Sequence, residues 1–189
     1  RLIVLGAAAG GGFPQWNCAC ANCKRALRGD PAAPARTQSS LAVSADGVRW
    51  LILNASPDLR QQILATPALH PRAEAGLRDS PIAAVAVTNG DVDHTGGLRA
   101  LDGTFDGSVY IGAEDLALAR REQHPKLLHH KGLYHRVARR LFPLPDDMDV
   151  RPIEEGDEIG RFTAYHTPGH NPGHTVFVHD SGAAFLGDL

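Results

Sequence analysis

The sequence lacks the long apolar segment and the strong net charge that would favour a membrane or a nucleic acid as its main partner. No run of residues approaches the roughly 20 apolar positions of a membrane-spanning helix, and residues 1–12 do not have the pattern of a signal peptide. The formal net charge is only −2, without a sustained basic face. We therefore expect a cytoplasmic chain that acts on a small molecule or a short peptide, with no nucleic-acid or membrane partner, and the sequence leaves a homodimer open.

Internal repeats and low-complexity tracts are also lacking, so nothing divides the chain into several units. With 43% hydrophobic residues over 189 positions, the chain can bury one substantial core. It opens on Arg1 rather than Met, and it stops at Leu189 directly after an apolar run. We therefore expect a single domain over residues 1–189 that is incomplete at its C-terminus.

Cysteine is scarce, and its three copies lie within six residues, at Cys18, Cys20 and Cys23. Thiols this close in a cytoplasmic chain are not expected to form a disulfide framework. Thiolates with such spacing can instead bind a tetrahedral zinc ion and so order a loop that has little hydrophobic content. We predict a structural zinc site in a loop at residues 16–24, with a fourth ligand that the sequence leaves open. Free or redox-active thiols are the alternative.

Short apolar runs that alternate with helical patterns predict a layered α/β fold. The predicted strands cover residues 2–5, 41–43, 48–53, 82–87, 109–111, 149–153, 162–166, 175–179 and 183–186, and the predicted helices cover 56–64, 114–121 and 126–141. The strands at 2–5 and 82–87 are expected to be buried, because they are apolar throughout. Asp46-Gly47 predicts a hairpin turn, and residues 24–40 and 66–80 are predicted to be loops.

Turn and cap residues add local detail to this expectation. Gly10, Gly11 and Gly12 predict a tight turn near the active site, since their spacing fits neither a dinucleotide-binding loop nor a P-loop. Ser56 and Asp58 predict the start of the helix over residues 56–64, where a hydroxyl caps the first turn and an acid meets the positive end of the helix.

Polar residues follow three of the predicted strands. Asn89, Asp91, Asp93 and His94 come after the strand at 82–87, His170 comes after the strand at 162–166, and Asp188 comes after the strand at 183–186. A single aspartate or histidine at such a position is usually a cap or a solvated side chain. Three clusters of carboxylates and imidazoles at strand ends in one short chain instead favour a shared metal site.

These clusters resemble the motifs of the metallo-β-lactamase superfamily. Its H-x-H-x-D-H motif aligns with residues 89–94, its T-P-G-H histidine with His170 and its bridging aspartate with Asp188, although Asn89 and Asp91 stand where the superfamily has its first two histidines. The resemblance implies an αββα sandwich with a two-metal site. It places His170 at the first metal position, Asp93 and His94 at the second, and Asp188 between the two.

The first half of the chain, over residues 1–105, also resembles a family of pyrroloquinoline quinone (PQQ) biosynthesis proteins. The segments that carry this resemblance are residues 10–18, 36–40, 54–58 and 88–94. Residues 106–189 are more similar to generic metallo-β-lactamase-fold hydrolases. The narrower resemblance implies a metal-dependent role in PQQ biosynthesis, such as iron-dependent hydroxylation of a tyrosine-containing precursor.

The donor set bears on which metal the active site would bind. An amide and a carboxylate in place of two imidazoles make the site richer in oxygen, and two histidines with one carboxylate are the inventory of non-haem iron(II) proteins. We therefore expect iron or zinc, with Asp93 and His94 as catalytic residues. The alternatives are a zinc-dependent hydrolase of an ester, thioester or lactone and a non-catalytic PQQ carrier. The sequence leaves open whether His174 joins the site. The predicted active-site metal residues are Asn89, Asp91, Asp93, His94, His170 and Asp188.

Overall fold

The apolar runs form two β-sheets in the computed structural model, which describes residues 1–101, 103, 105–120, 137 and 144–188. The first sheet contains, in spatial order, β1 (Leu2–Gly6), β2 (Ser40–Val43), β3 (Trp50–Leu53), β4 (Ile82–Val87), β5 (Ser108–Gly112) and β6 (Asp149–Ile153). The second contains β7 (Glu158–Ile159), β8 (Phe162–His166), β9 (Thr175–His179) and β10 (Ala184–Phe185), each paired with the next. The first three strands pair antiparallel, as the predicted hairpin requires, and β3 to β6 run parallel. The layered α/β prediction is confirmed.

Short helices lie in the connections between the strands of the first sheet. They are α1 (Ala21–Leu27), α2 (Leu59–Leu64), α3 (Val92–Thr95) and α4 (Ala113–Ala119), with 3-10 turns at Pro67–Leu69 and Gly96–Ala100. Leu59 and Leu116 from two of these helices pack against Val85 and Val87 of β4. Ala86 of β4 instead faces the second sheet. The central strand is therefore covered on both faces, as its continuous apolar run predicts.

Three local predictions are wrong. The strand at 2–5 is not buried, because β1 lies at the edge of the sheet, where Leu2 and Val4 are 52% and 58% exposed. The predicted loop at 24–40 begins inside α1, whose N-terminus is capped by the side chain of Cys20. Ser56 does not cap α2: the helix begins at Leu59, and the Ser56 hydroxyl donates to Gln62 instead.

The remaining elements lie close to their predicted positions. The predicted strands at 149–153, 162–166 and 175–179 match β6, β8 and β9 at both ends, and the predicted helix at 114–121 corresponds to α4. The predicted helix at 126–141 lies, apart from Val137, outside the described residues. Within the described part of the chain, no helix has the length and apolarity to cross a membrane.

The topology brings the polar ends of both sheets to one edge of the molecule. Parallel strands have their carboxyl ends on the same side, so the segments after β4 and β5 emerge together. The first residue of β9 joins them, since the amide of Thr175 donates to the carbonyl oxygen of Thr88 over 2.8 Å. Gly112 at the end of β5 lies so close to Gly173 that a Cβ on it would be 2.0 Å from the Gly173 oxygen. These contacts fix the loop before β9 against the end of the first sheet.

Candidate metal centre

Loops from both sheets deliver carboxylates and imidazoles to this edge. His170 Nε2 lies 3.2 Å from Asp91 Oδ2 and 3.5 Å from Asp188 Oδ2, and His94 Nε2 lies 3.5 Å from the same Asp188 oxygen. Two groups of potential ligand atoms have all members within 4.8 Å of one another: Asp91, His170 and Asp188 form one, and Asp93, His94 and Asp188 form the other. Asp188 belongs to both groups. The geometry therefore fits two adjacent metal positions that share Asp188.

Each of the two groups contains one buried residue and two residues that solvent partly reaches. Asp91 and His94 are 6% and 3% exposed, because α3 places them beneath the loops. The side chains of His170 and Asp188 are 32% and 41% exposed. The site is thus closed on the side of the first sheet and open where the two later loops meet, at His170 and Asp188.

Two successive hydrogen bonds, from His94 to Thr88 and from Thr88 to Asn54, determine which ring nitrogen of His94 carries the proton. The Thr88 amide donates to Asn54 Oδ1 over 2.9 Å, which identifies this atom as the amide oxygen. The Thr88 hydroxyl is 3.1 Å from the same oxygen and must donate to it, because an amide oxygen only accepts. Thr88 Oγ1 then accepts from the Nδ1–H of His94, also over 3.1 Å. His94 therefore directs the lone pair of Nε2 towards Asp188.

This chemistry fits a divalent cation. Three carboxylates that converge with two imidazoles repel one another unless positive charge lies between them. A metal-binding histidine also needs its other ring nitrogen to donate to a second group, and Thr88 provides that acceptor for His94. Carboxylate oxygen and imidazole nitrogen are ligands for both zinc and iron. The donor set is thus suited to one or two such ions.

Asn89 has a different place in the site from its neighbours. Its amide oxygen accepts a hydrogen bond from the Asp91 amide over 2.9 Å, and its amide nitrogen donates to Asp188 Oδ2 over 3.3 Å. The amide nitrogen is a donor and does not bind a cation, and one of the two lone pairs of the oxygen is already used. This geometry favours a role in positioning Asp91 and Asp188 over the predicted role as a ligand.

His174 is a further imidazole at the site, and it is fully buried. Its Nδ1 lies 2.8 Å from the Thr167 hydroxyl, whereas its Nε2 has no hydrogen-bond partner among the described residues. Burial lowers the pKa of His174, and the Asp188 carboxylate opposes this effect. A Cβ on Gly187 would lie 2.9 Å from His174 Nε2, so a glycine here lets the chain pass over the ring. His174 is thus a neutral ring in contact with the segment that carries Asp188.

Thr88 and Asn54 are site residues that the sequence analysis did not single out by their chemistry. Asn54 adopts a left-handed backbone conformation with φ of 63°, which asparagine tolerates better than most residues. The only signal for them was that each lies in a segment that carries the family resemblance. Hydroxyl and amide side chains after buried strands do not by themselves indicate such contacts.

The cysteines form a separate cluster at the N-terminus of α1. The sulfur atoms of Cys18, Cys20 and Cys23 all lie within 4.8 Å of one another, and none is in a disulfide. Hydrogen bonds from the Cys23 amide and the other two thiols lower the pKa of Cys20 to about 7. A hydrogen bond with the Gln15 backbone lowers the pKa of Cys23, but burial and the two neighbouring thiols outweigh it, so this pKa is raised overall. Cys20 is therefore more readily converted to the metal-binding thiolate than Cys23.

The predicted turn at residues 10–12 precedes the cysteine cluster in the chain and borders Asp93. A Cβ on Gly10 would be 3.2 Å from Asp93 Oδ2, so the turn contacts the candidate metal centre as expected. Gly11 and Gly12 have φ of 91° and 74°, which other residues rarely adopt. The same segment continues to Cys18, so the cysteine cluster holds the far end of the loop that borders Asp93.

Comparisons with known proteins agree with this geometry. Residues 48–189 match the model of the metallo-beta-lactamase superfamily. Coenzyme PQQ synthesis protein B of Methylorubrum populi is 65% identical over 101 residues, which are 53% of this chain and 33% of that protein. The protein of the same name from Rhodopseudomonas palustris is 48% identical over 171 residues, or 89% of this chain and 53% of that protein. The crystal structure of Zn²⁺-bound PqqB from Methylobacterium extorquens superposes with a TM-score of 0.71 at 39% identity, covering 97% of this chain and 60% of that one.

The matches cover most of this chain but only part of its relatives. The chain spans between a third and about half the length of the curated relatives it matches. The superfamily match contains every residue of the candidate metal centre but begins after the cysteine cluster. The superposition confirms the predicted metallo-β-lactamase fold. Because the match covers most of the chain and includes all three ligand loops, the chain belongs to the metallo-β-lactamase superfamily.

Proposed function

We propose that this chain acts in PQQ biosynthesis as a metal-dependent enzyme on a small-molecule or short-peptide precursor. The observation that carries the proposal is the convergence of two donor groups on one shared carboxylate, that of Asp188. The identity to proteins named for PQQ synthesis supports the pathway. In this proposal the active-site ligands are Asp91, Asp93, His94, His170 and Asp188, and the three cysteines hold a structural zinc ion within the same single domain.

In this proposal, different residues of the site bind the metal ion and accept a proton. A bound metal ion would supply a Lewis acid and, if it were iron, access to O₂ chemistry. His94 presents an Nε2 lone pair because Thr88 accepts its other ring proton. Asp93, bordered by the turn at residues 10–12, accepts a proton or a hydrogen bond from the reacting group at its carboxylate. His170 lies on the open side of the site, so the substrate would enter beside this ligand.

Two reaction classes have support from different observations. The oxygen-rich donor set, with two histidines and several carboxylates, favours iron and hydroxylation of a tyrosine-containing precursor. The zinc in the PqqB structure and the hydrolases common in the superfamily favour hydrolysis of an ester, thioester or lactone. Because Asn89 and Asp91 replace two imidazoles of the dizinc hydrolase pattern, we put hydroxylation first.

Metal content and turnover would test the proposal together. The chain is purified without added metal, analysed by inductively coupled plasma mass spectrometry, and then assayed with Fe²⁺ or Zn²⁺. O₂ uptake that depends on Fe²⁺ and on a Glu–Tyr-containing peptide would support the hydroxylase, and Zn²⁺-dependent ester turnover would support the hydrolase. An Asp93→Asn variant, which keeps the size of the side chain, should lose either activity. Tight PQQ binding without turnover under any condition would overturn the enzyme proposal in favour of a carrier.

The predicted cytoplasmic location and the homodimer stay predictions. Cell fractionation would test the first, and sedimentation velocity of the purified chain would test the second.

A further inference from the structure

A buried carboxylate outside the ligand set lies behind the candidate metal centre. Asp115 in α4 is fully buried, although aspartate is rarely so unless it is paired. Its Oδ2 accepts a hydrogen bond from the Gly90 amide over 2.8 Å, and its Oδ1 accepts one from the Gly173 amide over 3.0 Å. Gly90 directly precedes Asp91, and Gly173 lies three residues after His170. One side chain thus holds the backbones of two ligand loops.

The two glycines allow α4 to approach this closely. A Cβ on Gly173 would lie 2.5 Å from the Asp115 amide nitrogen and 2.8 Å from its Cγ, distances that no real side chain tolerates. A Cβ on Gly90 would lie 3.3 Å from the Asp115 Cβ, which requires a small displacement. The packing is therefore built around the carboxylate on both sides.

A carboxylate is the side chain that suits this position. The Gly90 and Gly173 amides are both N–H donors, so the group between them needs an acceptor on each side, and an ionised acid provides two. An amide of the same shape has one acceptor, and its NH₂ group would face the second donor. A buried donor that is left without a partner destabilises the fold around it.

We propose that Asp115 is a positioning residue that sets the spacing of Asp91 and His170, and thereby the metal affinity of the position they form with Asp188. This inference rests on the proposed metal-dependent function. His170 Nε2 lies 3.2 Å from Asp91 Oδ2, although the two residues are 79 positions apart in the chain. Asp115 accepts hydrogen bonds from the residue before Asp91 and from the residue three positions after His170. His94 has separate support, because its carbonyl oxygen accepts from the Ala55 amide over 2.7 Å. The effect of Asp115 should therefore fall on the position of Asp91 and His170.

Co²⁺ titration of the full chain tests this role, with binding followed by the visible absorption of the ion. Asp115→Asn should weaken the affinity about 10–100-fold, the range typical of groups that support metal ligands, and should change the band intensity of the bound ion. The matched control is Glu114→Gln, which removes the neighbouring exposed charge of the same helix and should leave affinity and spectrum unchanged. Hydrogen exchange in the metal-free chain should become faster at the amides of Gly90 and Gly173 in Asp115→Asn alone.

A second variant keeps the inference testable if Asp115→Asn does not fold. Gly90→Ala leaves the Asp115 carboxylate in place but adds a methyl group 3.3 Å from the Asp115 Cβ. We expect a smaller loss of Co²⁺ affinity, about 3–10-fold. Wild-type affinity and spectrum in a folded Asp115→Asn, or in Gly90→Ala if the first variant is unfolded, would overturn the role of Asp115 alone. A wild-type chain that binds no Co²⁺ at this centre would overturn the proposed function as well.

Discussion

At the level of single residues, the state of a ligand is decided by groups that do not touch the metal position. Asn54 accepts from Thr88, and Thr88 in turn accepts from His94, so the ring of His94 is held in one tautomer with Nε2 towards Asp188. Asn89 likewise contacts Asp91 and Asp188 rather than an open position. Supporting contacts of this kind determine whether a donor is available for a cation.

Removing the Thr88 hydroxyl should weaken metal binding at the position that contains His94. Thr88→Val keeps the shape of the side chain but leaves the Nδ1–H of His94 without an acceptor, so either tautomer becomes accessible. We expect a loss of about 10-fold in Zn²⁺ affinity, measured by competition with a chromophoric chelator. Thr88→Ser retains the hydroxyl and should bind within about two-fold of wild type. Equal affinities for the valine and serine variants would contradict this role of the Thr88 hydroxyl.

At the level of elements, the hairpin of β2 and β3 depends on one carboxylate at its turn. Asp46 Oδ1 accepts from the amides of Val48 and Arg49 over 2.7 and 2.9 Å, and Gly47 takes a φ of 80°. These two backbone hydrogen bonds, together with one from the Ser44 hydroxyl, lower the pKa of Asp46 to about 2. The turn predicted from Asp46-Gly47 therefore owes its shape to an ionised side chain.

The hairpin should lose part of its stability in acid. Because the pKa of Asp46 falls from 3.8 in the unfolded chain to about 2 in the folded one, its contribution is complete above about pH 4 and is lost as the pH falls to about 2. Asp46→Asn keeps one acceptor without the charge, so its thermal midpoint should lie below that of wild type at pH 6. The difference between the two midpoints should become smaller as the pH is lowered from 4 to 2. Thermal unfolding monitored by circular dichroism measures both midpoints. A difference that stays constant with pH would show that ionisation of Asp46 does not matter.

At the level of the whole molecule, two candidate metal sites lie on one chain and are joined by the loop of residues 10–18. The cysteine cluster lies before the region that matches the superfamily, and the mixed carboxylate and imidazole site lies within it. Their ligands differ in chemistry, since thiolates select zinc whereas oxygen-rich sites also accept iron. The two sites should therefore lose metal independently.

Single substitutions at each site should separate the two metal contents. Asp93→Ala is expected to lose metal from the active site while zinc stays on the cysteines, and Cys20→Ala is expected to lose only that zinc. Elemental analysis of each variant, purified without added metal beside wild type, measures both losses. If both variants retain the full complement, the assignment of two sites is wrong.

Much of the fold could be predicted because strand and turn signals are local. The bounds of β6, β8 and β9 follow from short segments between turns that contain glycine and aspartate, and the hairpin follows from Asp46-Gly47. The exposure of β1 could not be predicted, since an apolar run does not reveal that its strand lies at an edge of the sheet. The start of α1 was missed because Cys20, which is not a usual cap, receives the hydrogen bond of the Cys23 amide.

By itself, the sequence determined which side chains could bind metal, because each cluster directly follows a strand and its chemistry is visible in a few adjacent residues. Only the tertiary structure decided how these clusters combine: that Asp188 is shared by two groups, that Asn89 points at ligands, that His94 has one tautomer and that Asp115 holds two loops. Apart from the contact of Thr88 with His94, which are six positions apart, these features depend on contacts between residues 25 to 99 positions apart. No local pattern specifies such contacts, because they form only when the packing of two sheets brings the loops to the same edge.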